Sequence, residues 1–218
     1  IGRTGNAVIR RGGVSMIADK EIDERIRQCA QEEFGEKGYV AASLRVICSR
    51  AGVTTGALYK RYAGKEELFA ALVEPAIADL EGVIMRKAAA PETLSDDDLV
   101  RAWDMNVPFM ERWFGFLYAR YDALRLLLTR SEGSKYAGFE HDWSERVNAA
   151  TYKYYEEARR RGLARSDISR RDMHIMMYGF WTTVTEPIRH GLRESETGEI
   201  AALICKLFDW KRLLGLVR

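Results

Sequence analysis

The 218-residue chain is sparing with proline, cysteine and histidine, and each scarcity excludes something. Four prolines and no extended Ser/Gly tract leave no place for a long disordered linker. The three cysteines, Cys29, Cys48 and Cys205, have no paired or metal-type spacing and sit among apolar residues, so they read as reduced core thiols of a cytoplasmic protein. His141, His174 and His190 are too dispersed for a metal site, and no Ser or Cys stands in a nucleophile context. No catalytic residue, metal or cofactor is therefore expected. No apolar run approaches the roughly 20 residues of a membrane span, and no apolar signal core opens the chain, so no membrane association is expected. Strand-type alternation is almost absent as well, which makes the predicted fold all-α.

What is present is an ordinary globular balance, 47% hydrophobic and 30% charged, with the charge unevenly placed. The whole chain carries +2, yet from Lys37 to Lys65 there are six cations (Lys37, Arg45, Arg50, Lys60, Arg61, Lys65) and no acid. Such a segment attracts a polyanion whatever the rest of the chain does.

Periodicity supplies the elements around it. Ile22, Ile26, Cys29, Ala30 and Phe34 repeat near 3.6 residues, predicting an amphipathic helix over 19–37 that Gly38 ends. Ser43 caps a short second helix that finishes at Ala51-Gly52, and Thr54 caps a third over 55–62. A fourth begins past Gly64 with Glu66 and Glu67 in its first turn, and Pro75 is expected to interrupt it with a bend near Glu74. Body helices are expected over 96–112, 115–130, 136–161, 170–190 and 197–214, two of them opened by the Ser-capped "SDDD" and "SRRD". The implied organisation is 1–18 as a basic arm or an added leader before a start at Met16, 19–65 as a head, and 66–218 as a body.

Two short helices joined by a turn at Gly52 form a helix-turn-helix, whose second helix can enter the major groove of double-stranded DNA. Thr54 and Thr55 lie at the leading end of that helix, where hydroxyls and backbone N–H groups reach a phosphate or a base edge. Gly56 lets the backbone approach closely, and Tyr59 and Tyr62 carry hydroxyls on rigid rings. Lys60, Arg61 and Lys65 add charge, and Ser43 and Arg45 extend the candidate surface onto the preceding helix. A solvated basic face with no partner is the competing explanation.

Ile26, Cys29-Ala30, Phe34, Gly38-Tyr39, Ile47, Ala51-Gly52-Val53, Gly56, Leu58-Tyr59, Tyr62, Lys65-Glu66 and Leu68-Phe69 fall in a familiar order and spacing. Over roughly residues 20 to 70 the sequence closely resembles the head of the tetracycline-repressor (TetR) family. It departs at Ala42, where the family often has Thr, at Val46, where an acid often completes a cap, and at Gly64, where Ser, Asn or Asp is usual. The resemblance implies a homodimer that sets two third helices into successive major grooves of a palindrome-like operator and blocks transcription. It also implies a small-molecule effector that binds the body, shifts the heads through the fourth helix and releases DNA.

The body is rich in large side chains. Trp103, Met110, Trp113, Phe116, Leu117, Tyr121, Tyr152, Tyr155, Met177, Phe180 and Trp181 either fill the core or surround a cavity for a bulky apolar or aromatic effector. Pro108 would kink one wall, and Arg120, Asp104 or Glu186 could meet a charged ligand group. Met173, Ile200, Leu203, Ile204, Leu207 and Phe208 are candidates for the dimer seam. Two other functions fit the same residues: a DNA-bound scaffold acting through a protein partner, and a helical enzyme or carrier with a vestigial head.

Overall fold

The computed structural model describes residues 9–87 and 90–216 of the chain, all of it helix and connecting turns apart from an isolated antiparallel bridge between Ala164 and Leu216. Helix α1 (Ile9–Ala41) starts earlier than its periodicity indicates, so residues 9–18 of the expected basic arm are helix. The first eight residues of the arm expected over 1–18 lie outside the described residues. Gly38 breaks the helical backbone of α1 where the sequence places the stop.

Helices α2 (Leu44–Ala51) and α3 (Thr55–Tyr59) follow. Between them Gly52 adopts φ 67°, a left-handed conformation that closes the turn with its N–H on the carbonyls of Cys48 and Ser49. The Thr54 hydroxyl accepts from the Ala57 N–H at 3.1 Å and caps α3 as expected. Ser43 makes no side-chain cap. Instead the buried Glu33 of α1 reaches the Ser43 N–H at 3.1 Å, supplying from another helix the acid that Val46 lacks.

Helix α4 (Lys65–Lys87) runs through Pro75 without ending, which corrects the expected interruption. At its start Gly64 offers no side chain, and the Glu67 carboxylate turns back to accept from the Ala63 N–H. Two compact units emerge along the chain. One ends at Glu74 and takes in the distant segment Arg130–Ala137; the other holds Pro75–Thr129 and everything from Gly138 onward.

In the first unit Phe34, Tyr39 and Phe69 pack on one another, the Phe34–Phe69 pair edge-on at 5.0 Å, and Phe69 also meets the ring of Tyr136 at 5.9 Å. The segment is fastened by the Tyr39 N–H on the Arg130 carbonyl at 2.8 Å and by the Tyr136 hydroxyl on the Glu74 carboxylate at 2.6 Å. Gly133 permits the close approach: at φ 80°, a β-carbon there would lie 2.5 Å from Cγ2 of Val40.

The second unit contains α5 (Asp96–Arg101), α6 (Val107–Tyr118), α7 (Tyr121–Thr129), α8 (Phe139–Arg160), α9 (Arg170–Arg189), α10 (Thr197–Leu207) and α11 (Trp210–Leu214). Two of the expected long helices are each a pair. Asn106 caps α6 by accepting from the Phe109 N–H at 2.9 Å, and Pro108 sits in that first turn, so it starts a helix instead of kinking one. Asp209 likewise opens α11 by accepting from Arg212. At the end of α8 the consecutive Arg159, Arg160 and Arg161 are each hydrogen-bonded within the unit. Arg160 and Arg161 both bind Glu157, whose carboxyl they hold down at about 2, and Arg161 also reaches the carbonyls of Glu92 and Leu94.

Candidate nucleic-acid interface and body cavity

Helix α3 turns Leu58 fully inward and leaves Thr55, Gly56, Tyr59 and Lys60 outward, Tyr59 with 56% of its surface exposed. Thr54 spends its hydroxyl on the cap but remains exposed, as does Arg45 on α2, while Ser43 is half-buried. These residues form one candidate face. The spacing of one buried Leu within a five-residue helix is what turns the rest outward.

Three of the sequence candidates are engaged inside the unit. Arg61 is half-buried and bound by Asp19 at 2.7 Å and by Asp23, both on α1, so it does not project as a free cation. Tyr62 is buried against its neighbours, and that burial pushes its hydroxyl pKa up. Lys65 directs its ammonium to the carbonyls of Val40 at 2.8 Å and Ala42 at 3.1 Å, closing the end of α1 while lying over the Tyr39 ring. Arg50 is also claimed, by Glu32 at 3.0 Å and by Glu33 and Glu36 at 3.7 Å. Of the six cations of the linear segment, Arg50 and Arg61 are ion-paired and Lys65 is held by carbonyls, which leaves Lys37, Arg45 and Lys60 as the cations without a side-chain engagement among the described residues. Counting charge along the chain missed this because the compensating acids lie on α1, outside the segment counted.

An exposed, Thr-capped second helix beside a glycine turn and a residual positive field defines a helix-turn-helix DNA-binding protein. Residues 26–72 match the sequence model for bacterial regulatory proteins of the tetR family. Similar solved structures include NalD, the secondary repressor of the MexAB-OprM multidrug efflux pump in Pseudomonas aeruginosa. It is 17% identical, with 91% of this chain and 98% of that one covered at a TM-score of 0.61. A TetR-like transcriptional regulator from a Rhodococcus species is 18% identical over 89% of this chain and 96% of its own, at 0.58. PfmR, a TetR family regulator from Thermus thermophilus, is 20% identical over 84% and 97%, at 0.54. At these identities the likeness is one of fold.

The second unit holds a cavity of about 580 Å³. Five of the sequence candidates line it: Trp103, Trp113, Phe116, Met177 and Phe180. The others do not. Met110 and Leu117 are fully buried on the core side of α6. Tyr155 is used up structurally, its hydroxyl donating to the Ser166 carbonyl at 2.6 Å and accepting from the Ile168 N–H at 2.7 Å; Tyr152 reaches the Ile168 carbonyl at 3.3 Å. Tyr121 stacks on Tyr118, and Trp181 packs against Trp143.

Sequence reasoning missed Val83 and Arg86 at the end of α4, Phe109 and Arg112 on α6, and Trp143 and Thr151 on α8. Trp143 and Thr151 could have been found from the period of α8, since they lie about two turns apart on one face. The charged candidates are all occupied: Arg120 by Asp79 at 2.7 Å, Asp104 by Lys211, and Glu186 by His190 at 3.0 Å.

The expected dimer residues divide in the same way. Met173 and Ile204 are buried within the chain and present no face to a second copy, while Phe208 packs on Phe180 and Trp210 and is half-buried. Ile200 is half-buried. Leu203 and Leu207 are exposed at 62% and 68%, and Ile175, Met176 and Tyr178 of α9 add further exposed apolar surface.

Proposed function

We propose that the protein is a homodimeric repressor that binds a palindrome-like operator and is released from it by a small molecule held in the body cavity. The observation that carries this reading is the run of α4. One helix has Lys65 in its first turn, fastening the end of α1, and Val83 and Arg86 in its last turns, on the cavity wall. A ligand that prefers one setting of α4 therefore has a covalent route to the DNA-reading unit, and it weakens DNA binding by its differential affinity for the two settings. Leu203, Leu207, Ile175 and Met176 supply the apolar surface for pairing. The two third helices of the dimer would stand about 34–36 Å apart to read half-sites one turn apart.

Selection of bound duplexes from a random library, followed by a salt titration on the winner, tests this reading. A palindrome-like winner is expected. With Lys37, Arg45 and Lys60 of each protomer meeting phosphate, the log–log salt slope should be about −5 for the dimer, against about −11 if all six cations of the linear segment met phosphate. A library from which no sequence is enriched would end the repressor reading.

A further inference from the structure

We infer that the effector is an organic anion: a flat aromatic carboxylate that carries a second oxygen function at the end away from the acid. This rests on the proposed ligand response and narrows it to a chemical class.

The charge of the cavity wall carries the first half of the inference. Its ionic residues are Arg86, Asp104 and Arg112. Asp104 is already neutralised by Lys211. The two acids that precede Arg86 most closely on α4 are taken by other arginines, Asp79 by Arg120 and Glu81 by Arg146. Arg86 and Arg112 themselves have no ion pair among the described residues, and both are exposed, which places them at the rim. Arg86 folds back along its own helix, with Nη1 beside Gly82. Among the described residues the rim therefore offers two guanidinium groups and no free acid to a ligand entering from solvent. A cationic ligand would enter against that field; a carboxylate gains charge-assisted hydrogen bonds from it.

The floor carries the second half. Trp143 and Thr151 line the cavity at 1% exposure each, and Nε1 of Trp143 and Oγ1 of Thr151 have no hydrogen-bond partner. Buried polar atoms of this kind are costly unless something pairs with them. An indole N–H can only donate, so the group that satisfies it must be an acceptor; the threonine hydroxyl can do either. The wall between rim and floor is aromatic, with Trp113 and Phe116 stacked at 5.1 Å, and this selects flat rings. A volume of about 580 Å³ admits a molecule of two or more fused rings.

The test uses three probes of one skeleton: 6-hydroxy-2-naphthoic acid, its neutral primary amide, and the corresponding 2-aminomethyl cation. Binding to the full-length protein is read by calorimetry and by quenching of the cavity tryptophans. The acid should bind about tenfold or more tightly than the amide, and the cation should bind weakest. Arg86→Gln and Arg112→Gln, with thermal melting as the folding check, should each bring the acid-to-amide ratio toward one. Replacing the acid by 2-naphthoic acid, which lacks the hydroxyl, should lose affinity in the wild type and lose none in Trp143→Phe. An amide or cation that binds as well as the acid would overturn the anion inference while leaving the cavity as a ligand site. If none of the probes binds a protein that still selects its operator, the inference and the ligand-responsive reading fail together.

Discussion

The two compact units use the same kind of side chain to opposite ends. In the first, Phe34, Tyr39, Phe69 and Tyr136 close on one another through edge and tilted contacts. In the second, Trp103, Trp113, Phe116 and Phe180 belong to walls that stand apart around a cavity. The difference lies in what faces each ring. Phe69 is met by a ring from the Arg130–Ala137 segment, whereas Trp143, though packed on Trp181, and Thr151 line the cavity with polar atoms unpaired. A high aromatic content therefore does not mark a binding site; unpaired buried polar atoms among the rings do.

That contrast is open to direct attack, and the hardest blow falls on the closed cluster. Phe69→Ala should cost about 3–5 kcal/mol in urea unfolding and abolish operator binding, because a fully buried ring in three aromatic contacts is lost. Trp113→Ala, at a half-buried position of the cavity wall, should cost no more than about 1–2 kcal/mol. Equal costs for the two would erase the distinction between a packed cluster and a hollow one. Next in size, Gly133→Ala should destabilise by about 1–2 kcal/mol through its left-handed backbone and the approach of Val40, and amide exchange should quicken at Tyr39.

Lys65→Met should cost about 1 kcal/mol in the absence of DNA, since two carbonyls lose their ammonium donor. A lysine serving phosphate alone would leave unfolding unchanged. The smallest effect is an acid sensitivity. The Tyr136 hydroxyl, ahead of Lys135, holds the Glu74 carboxyl below its ordinary pKa, so the stability Glu74 contributes is present above about pH 4.5 and fades as pH falls through the lowered value. The stability gap between wild type and Glu74→Gln, a few tenths of a kcal/mol at this exposed pair, should shrink between pH 7 and pH 3. The Tyr136 hydroxyl itself, pushed up to about 12 by burial and by Glu74, should stay protonated across that range.

Much of the fold was legible from local chemistry. The Ser caps at Ser95 and Ser169, the Thr54 cap and the Gly52 turn each act within three or four residues, and all stand where the sequence places them. Asn106 and Asp209 are caps of the same kind that went unread, because continuous apolar periodicity on either side masked the break. Pro75 misled in the other direction: a proline in a helix leaves one carbonyl unpaired, and a helix this long tolerates that. The site was less legible because its decisive contacts are distant in sequence. Nothing near Arg61 announces Asp19 and Asp23, and nothing near Asp104 announces Lys211. Trp103 and Trp181 look alike in sequence, and only the packing sends one to the cavity and the other onto Trp143.

The Arg130–Ala137 segment makes the DNA-reading unit discontinuous in the gene. A fragment cut after Glu74 would carry α1, α2, α3 and the start of α4, yet it would lack the ring that meets Phe69 and the carbonyl that receives the Tyr39 N–H. Heads of this protein are therefore poor interchangeable parts. A chimera joining its first 74 residues to a foreign body inherits the reading helix without its buttress, and a working transplant would have to carry both pieces of chain.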